Sequence, residues 1–154
     1  MSDVTPRFRP WVQIASFCQI ALKEGNQRLS LIRIVDRITI NGQTPEMQPT
    51  SIQTTLVVIL KSDFMRGPAT VGIRPVTPSG GELPVVETNV LFEGDDRGIQ
   101  LIIPVAVTAQ EQGLYWFEVL VDGEIFTRVP LRVMYQRIAV QGQQAGGGPG
   151  LQGQ

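Results

Sequence analysis

Two runs of alternating apolar and polar residues flank Asp122-Gly123 between residues 113 and 135. In the first run Tyr115, Phe117, Val119 and Val121 are apolar, with Glu118 and Asp122 on the opposite parity. In the second, Ile125, Val129, Leu131 and Val133 are apolar, and Glu124, Arg128 and Arg132 oppose them. A period of two is the pattern of a half-buried strand, and Asp-Gly between two such runs signals a hairpin. A two-residue turn would pair Val121 with Glu124 and set the odd face of one arm against the even face of the other. A three-residue loop keeps the two odd sets together. The sequence therefore predicts a type I turn followed by a left-handed, bulged Gly123, a residue with no Cβ to clash.

The rest of the chain repeats this punctuation. Residues 11–20 are apolar on both parities, as expected of a strand buried on two faces. Residues 21–24 suggest one helical turn, broken at Gly25-Asn26. Residues 28–40 read as one long strand whose apolar parity switches, which calls for a bulge or bend near Leu31. Residues 54–61 are apolar on both faces and predict a central strand. Turns are predicted over 62–68, 77–81 and 93–98. Pro75 places the strand over 69–76 at a sheet edge. A weaker strand covers 83–92. Residues 99–108 carry the cleanest alternation, from Ile99 through Leu101, Ile103 and Val105 to Val107, with Pro104 indicating an edge or a gap in the ladder.

About eight short strands, with no long amphipathic helix, argue for an all-β, antiparallel, immunoglobulin-like β-sandwich of about seven to eight strands. The domain is expected over residues 11–138, after a loose lead-in at 1–10. A flexible Gly/Gln-rich tail is expected over 139–154, a segment without charge and too poor in apolar side chains to offset its ordering entropy. Tyr115 follows a corner at the start of the penultimate strand, the position of the tyrosine corner of immunoglobulin-like domains.

Composition narrows the chemistry. Net charge is −1, which removes the cation excess a nucleic-acid binder uses against phosphate. Histidine is absent and Cys18 is the only cysteine, so Ser-His and Cys-His catalysis, His-containing metal sites, and thiolate zinc or iron–sulfur sites within one chain are all excluded. The N-terminal residues show no secretory leader, and no run approaches a membrane span, so a cytoplasmic protein is expected.

The remaining candidates are weighed against ordinary structural roles. The acidic run Glu93, Asp95 and Asp96 could attract Ca²⁺ but reads better as a solvated turn. Cys18, between apolar neighbours, reads as a small buried hydrophobe. Asp36 shares parity with Ile34 and Ile38, so it is expected to face inward and to pair with an Arg. Trp116 lies on the parity opposite Tyr115 and Phe117. With Phe126 and Trp11 it forms a candidate face for a protein partner or small ligand.

Phe17, Cys18, Ala21, Gly25, Leu29, Leu31 and Asp36 in the first third, with Gly113, Tyr115, Phe117, Val119, Val121, Asp122, Gly123, Pro130 and Val133 near the end, resemble a family of small bacterial proteins known only as a domain of unknown function. The family's usual glycine three residues before the Asp is replaced here, by Arg33 or a neighbour. The resemblance implies a cytoplasmic bacterial β-sandwich and supplies no catalytic residue. The expectation is a non-catalytic interaction or structural module without cofactor or metal, such as a subunit of a larger bacterial assembly, that self-associates or binds a protein partner. The rival is a module that binds a small ligand or carbohydrate through exposed aromatics.

Overall fold

The computed structural model describes residues 10–139, so most of the expected lead-in and most of the expected tail lie outside the described residues. Seven strands follow in chain order: β1 (Trp11–Lys23), β2 (Leu29–Val35), β3 (Arg37–Gly42), β4 (Thr50–Val76), β5 (Val86–Ala109), β6 (Gly113–Val121) and β7 (Glu124–Arg137). No helix occurs among the described residues. The helical turn expected at residues 21–24 is instead the end of β1, because Ala21 and Lys23 are paired with Leu31 and Leu29 of β2.

The largest departure from the sequence reading is the length of β4 and β5. Their antiparallel ladder runs from Thr50 opposite Ala109 to Ile73 opposite Val86. The segments at 62–68 and 93–98, expected as turns, are the two sides of an elbow in this ribbon. Asp63, Gly67, Gly94 and Asp95 all have positive φ there, between 53° and 114°. Such residues let a strand bend while its pairing resumes beyond the irregularity. Polar contacts fasten the elbow. Arg66 donates to the Glu93 carbonyl at 2.7 Å, and the Ser62 hydroxyl donates to the Arg97 carbonyl at 2.6 Å.

The elbow folds one hydrogen-bonded sheet into two layers. In the first layer β2 pairs β1, which pairs the first half of β4, which pairs the second half of β5. In the second layer the first half of β5 pairs the second half of β4, followed by β6, β7 and β3. Pro75 is thus not on an edge strand. It sits beyond the last β5 pair, where its carbonyl accepts from Leu83 N–H at 2.9 Å and no donor is required of it. All pairs are antiparallel except β3 with β7.

The layers meet through one apolar core. Leu56, Val58 and Leu60 of the first layer and Val71, Phe117, Val119 and Leu131 of the second are all nearly or fully buried. Burying a side chain of this size stabilises a fold by about 1.5–3 kcal/mol. A smaller cluster lies on the opposite face of the first layer, where Ala21, Leu29 and Leu31 pack on Cys18, Val57 and Ile59. Two packed β layers with this strand order make an immunoglobulin-like β-sandwich.

The last hairpin corrects the predicted loop. Val121 pairs with Glu124, so the turn has two residues, and both Asp122 (φ 48°) and Gly123 (φ 82°) are left-handed as a type I′ turn requires. The extra residue that parity demands is present one step further on. Val119 pairs Thr127 while Leu120 pairs Ile125, which leaves Phe126 as the bulge. Past this bulge Ile125 leaves the core parity and becomes 49% exposed. The turn is held in place by Thr70, which accepts from the Asp122 N–H at 2.8 Å and whose own N–H donates to the Asp122 carboxylate at 2.9 Å.

Candidate interaction edge

The structure separates the three aromatics expected to form one face. Phe126, turned by its bulge, packs against the main core. Trp116 lies on the outer side of β6, with the Arg128 guanidinium over its ring at 5.1 Å from the centroid. Trp11 begins β1 in the other layer, half exposed and paired with Lys61. No aromatic platform is assembled from them.

Asp36 also departs from its expected place. Its side chain is 90% exposed, not inward, and reaches Arg37 only at 4.0 Å. The reason is the break between β2 and β3. The chain changes layers there, so the parity of Ile34 no longer predicts the orientation of Asp36. Its carbonyl accepts from Arg132 N–H at 3.0 Å, which joins the crossing to β7. An exposed pair of this kind contributes little to stability.

Tyr115 is buried, and its hydroxyl donates to the Glu111 carbonyl at 2.7 Å, the geometry of a tyrosine corner. Burial pushes the Tyr115 hydroxyl pKa up. The Glu111 carboxylate in turn accepts from both the hydroxyl and the N–H of Ser79, at 2.7 and 3.0 Å, and these bonds hold its pKa below the usual range. The 77–81 turn is thereby tied to the corner before β6. On the outer side of the second layer the Glu118 carboxylate, only 10% exposed, accepts from Arg74 Nε at 3.2 Å. Cys18 is fully buried, and burial raises its thiol pKa. These groups form structural contacts. No cluster of carboxylate and thiol ligands suited to a metal occurs among the described residues, and in the acidic elbow Asp95 pairs with Arg66 and Glu93 with Arg97.

The chemically distinctive surface is one that alternation marked without revealing its use. Among the described residues β5 pairs only with β4, so one side of its backbone is open along its whole length. Its first half carries charges that deter further pairing, such as Glu87, Glu93 and Arg97. Its second half carries none between Gly98 and Gln110. The inward residues Leu101, Ile103, Val105 and Val107 are only half-buried, whereas Leu56, Val58 and Leu60 on the neighbouring strand are fully buried. A groove of about 420 Å³ runs along this edge, lined by Ile103, Val105, Val107, Leu83, Pro84 and Val86 among others. A second recess of about 350 Å³, on the other side of the first layer, is polar and holds both lysines, Lys23 and Lys61.

The sequence model of a family described as "Family of unknown function (DUF6941)" matches residues 13–134. Among solved structures, an immunoglobulin-like protein from Pseudomonas aeruginosa is similar at 12% identity and a TM-score of 0.40, over 81% of this chain and 96% of that one. No curated protein matches the chain.

Proposed function

For this chain, which belongs to the family of unknown function DUF6941, we propose a non-catalytic role as a protein-interaction or structural module. The observation that carries the reading is the uncharged open edge of β5 with its apolar groove. Such an edge is a row of unpaired N–H and C=O groups beside apolar surface, and it is completed by an extended segment of protein. The scattered positions of Trp11, Trp116 and Phe126 weigh against a stacking platform for sugars. Chemistry without histidine or a free reactive thiol would draw on carboxylates, and the two least exposed of those described above are held in structural contacts, Glu118 by Arg74 and Glu111 by Ser79. We place the module in the bacterial cytoplasm, a setting compatible with its single buried cysteine. No helix among the described residues is long and apolar enough to cross a membrane.

A photo-crosslinking side chain at Ala106, on the outer side of the open edge, tests the role in the native host. The module reading expects a discrete covalent adduct at Ala106 and none from the same probe at Gln136 on β7. Equal labelling at both positions, or none at either, would overturn it.

A further inference from the structure

We propose that the open edge of β5 over residues 99–109 pairs antiparallel with the same residues of a second copy of the chain. This names the partner for the interaction role above and rests on that reading. The backbone sets the class of occupant, because unpaired strand donors and acceptors are satisfied by another strand. Charge sets its identity. Pairing across a two-fold axis brings a strand opposite itself, so any charge near the axis meets its own copy and repels. The interval from Gly98 to Gln110 carries no charge at all, while the half of β5 before it is charged. The net charge of −1 adds no long-range repulsion between copies.

Side-chain parity agrees with this arrangement. Aligning odd with odd positions across the axis continues the inner face of the first layer from one copy into the next. The half-buried Leu101, Ile103, Val105 and Val107 of each copy then cover those of the other. Pro104 removes at most one donor from the row. The ends of the chain are poor alternatives as occupants. Residues 141–154 contain one large apolar side chain, Leu151, and residues 1–9 carry Asp3, Arg7 and Arg9 and have Pro6, which offers no N–H, between Val4 and Phe8.

The test uses the full chain. Light scattering across a concentration series should give twice the 16.9 kDa chain mass, with amides of residues 99–109 gaining hydrogen-exchange protection as the dimer fills. Ala106 is exposed on the outer side of the strand, so Ala106→Lys leaves the core untouched. It should weaken the dimer at least about tenfold, equivalent to about 1.4 kcal/mol, with no change in melting temperature at concentrations where both proteins are monomeric. In this register Ala106 faces Ile102 of the other copy, so mixing Ala106→Lys with Ile102→Glu should restore a heterodimer, seen by native mass spectrometry. A wild-type monomer at every concentration overturns the proposal, as does a dimer indifferent to both substitutions. If that monomer still gives a discrete adduct with a different protein at Ala106 in the host, the second-copy inference fails and the interaction reading stands.

Discussion

Phe17 of β1 stands edge-on to Phe117 of β6, with ring centroids 4.8 Å apart and planes at 74°. The two residues belong to opposite layers, so this contact ties one layer to the other. Phe17→Ala should lower unfolding free energy by about 3–5 kcal/mol, the range for truncating a buried ring. A double-mutant cycle with Phe117→Ala should return a coupling of about 0.5–1.5 kcal/mol, the value for an aromatic pair beyond its buried area. Urea titrations of the four proteins would check both; a coupling near zero would mean that the rings merely share a core.

The Tyr115 hydroxyl is expected to matter at ordinary pH and again in alkali. Tyr115→Phe removes its bond to the Glu111 carbonyl and should cost about 1–2 kcal/mol. Burial raises the folded-state pKa above the unfolded value of about 10. The native state therefore holds the proton more tightly, and the contribution is present below about pH 10 and lost as pH rises through the folded value. Denaturant unfolding at pH 8 and pH 11 should show a steeper alkaline loss in wild type than in Tyr115→Phe.

Glu111 has the opposite sign. Its pKa is held down by the Ser79 hydroxyl and N–H, so its contribution is present above the unfolded value of about 4.3 and lost as pH falls through the folded one. Glu111→Gln should flatten the acid limb of the stability profile. Thermal melts between pH 3 and 6 would measure this, and parallel acid limbs would refute it.

Arg33 has φ 56°, a left-handed backbone inside β2. A side chain with a Cβ holds this conformation at a cost of about 1–2 kcal/mol. Glycine adopts it freely but loses more chain entropy on folding. The bond from Arg33 to Gln19 at 2.9 Å is exposed and contributes little. Arg33→Gly should therefore stabilise the protein by about 0.5–1 kcal/mol, visible as a higher denaturant midpoint. The position lies three residues before Asp36, where the resembled family usually has glycine, and the backbone angle supplies a reason for that glycine.

Much of this architecture was legible where short-range chemistry decides it. The alternation around Tyr115 and Phe117 placed both in the core, and parity required one extra residue in the final hairpin. Parity did not say where that residue would sit. It sits at Phe126, beside a turn that Thr70 of β4 holds through Asp122, a long-range contact that no local pattern contains. Residues 62–68 and 93–98 look like turns because Gly and Asp supply left-handed backbone, and that chemistry serves an elbow as well as a reversal. Asp36 was misplaced because parity holds only within a strand, and the chain changes layers there. The open edge was half visible. Residues 99–108 announced a strand, but its lack of a neighbour is a property of the topology.

The β4–β5 ribbon also bears on how the molecule assembles. Its turn at 77–85 is local, and each pair formed beyond it shortens the loop that the next must close. Zipping outward from Ile73 and Val86 completes the second-layer part of the ribbon first and then carries the chain through the elbow to Thr50 and Ala109. A pairing far apart in sequence is thus reached by a series of short closures, which moderates the slow folding expected of long-range β contacts.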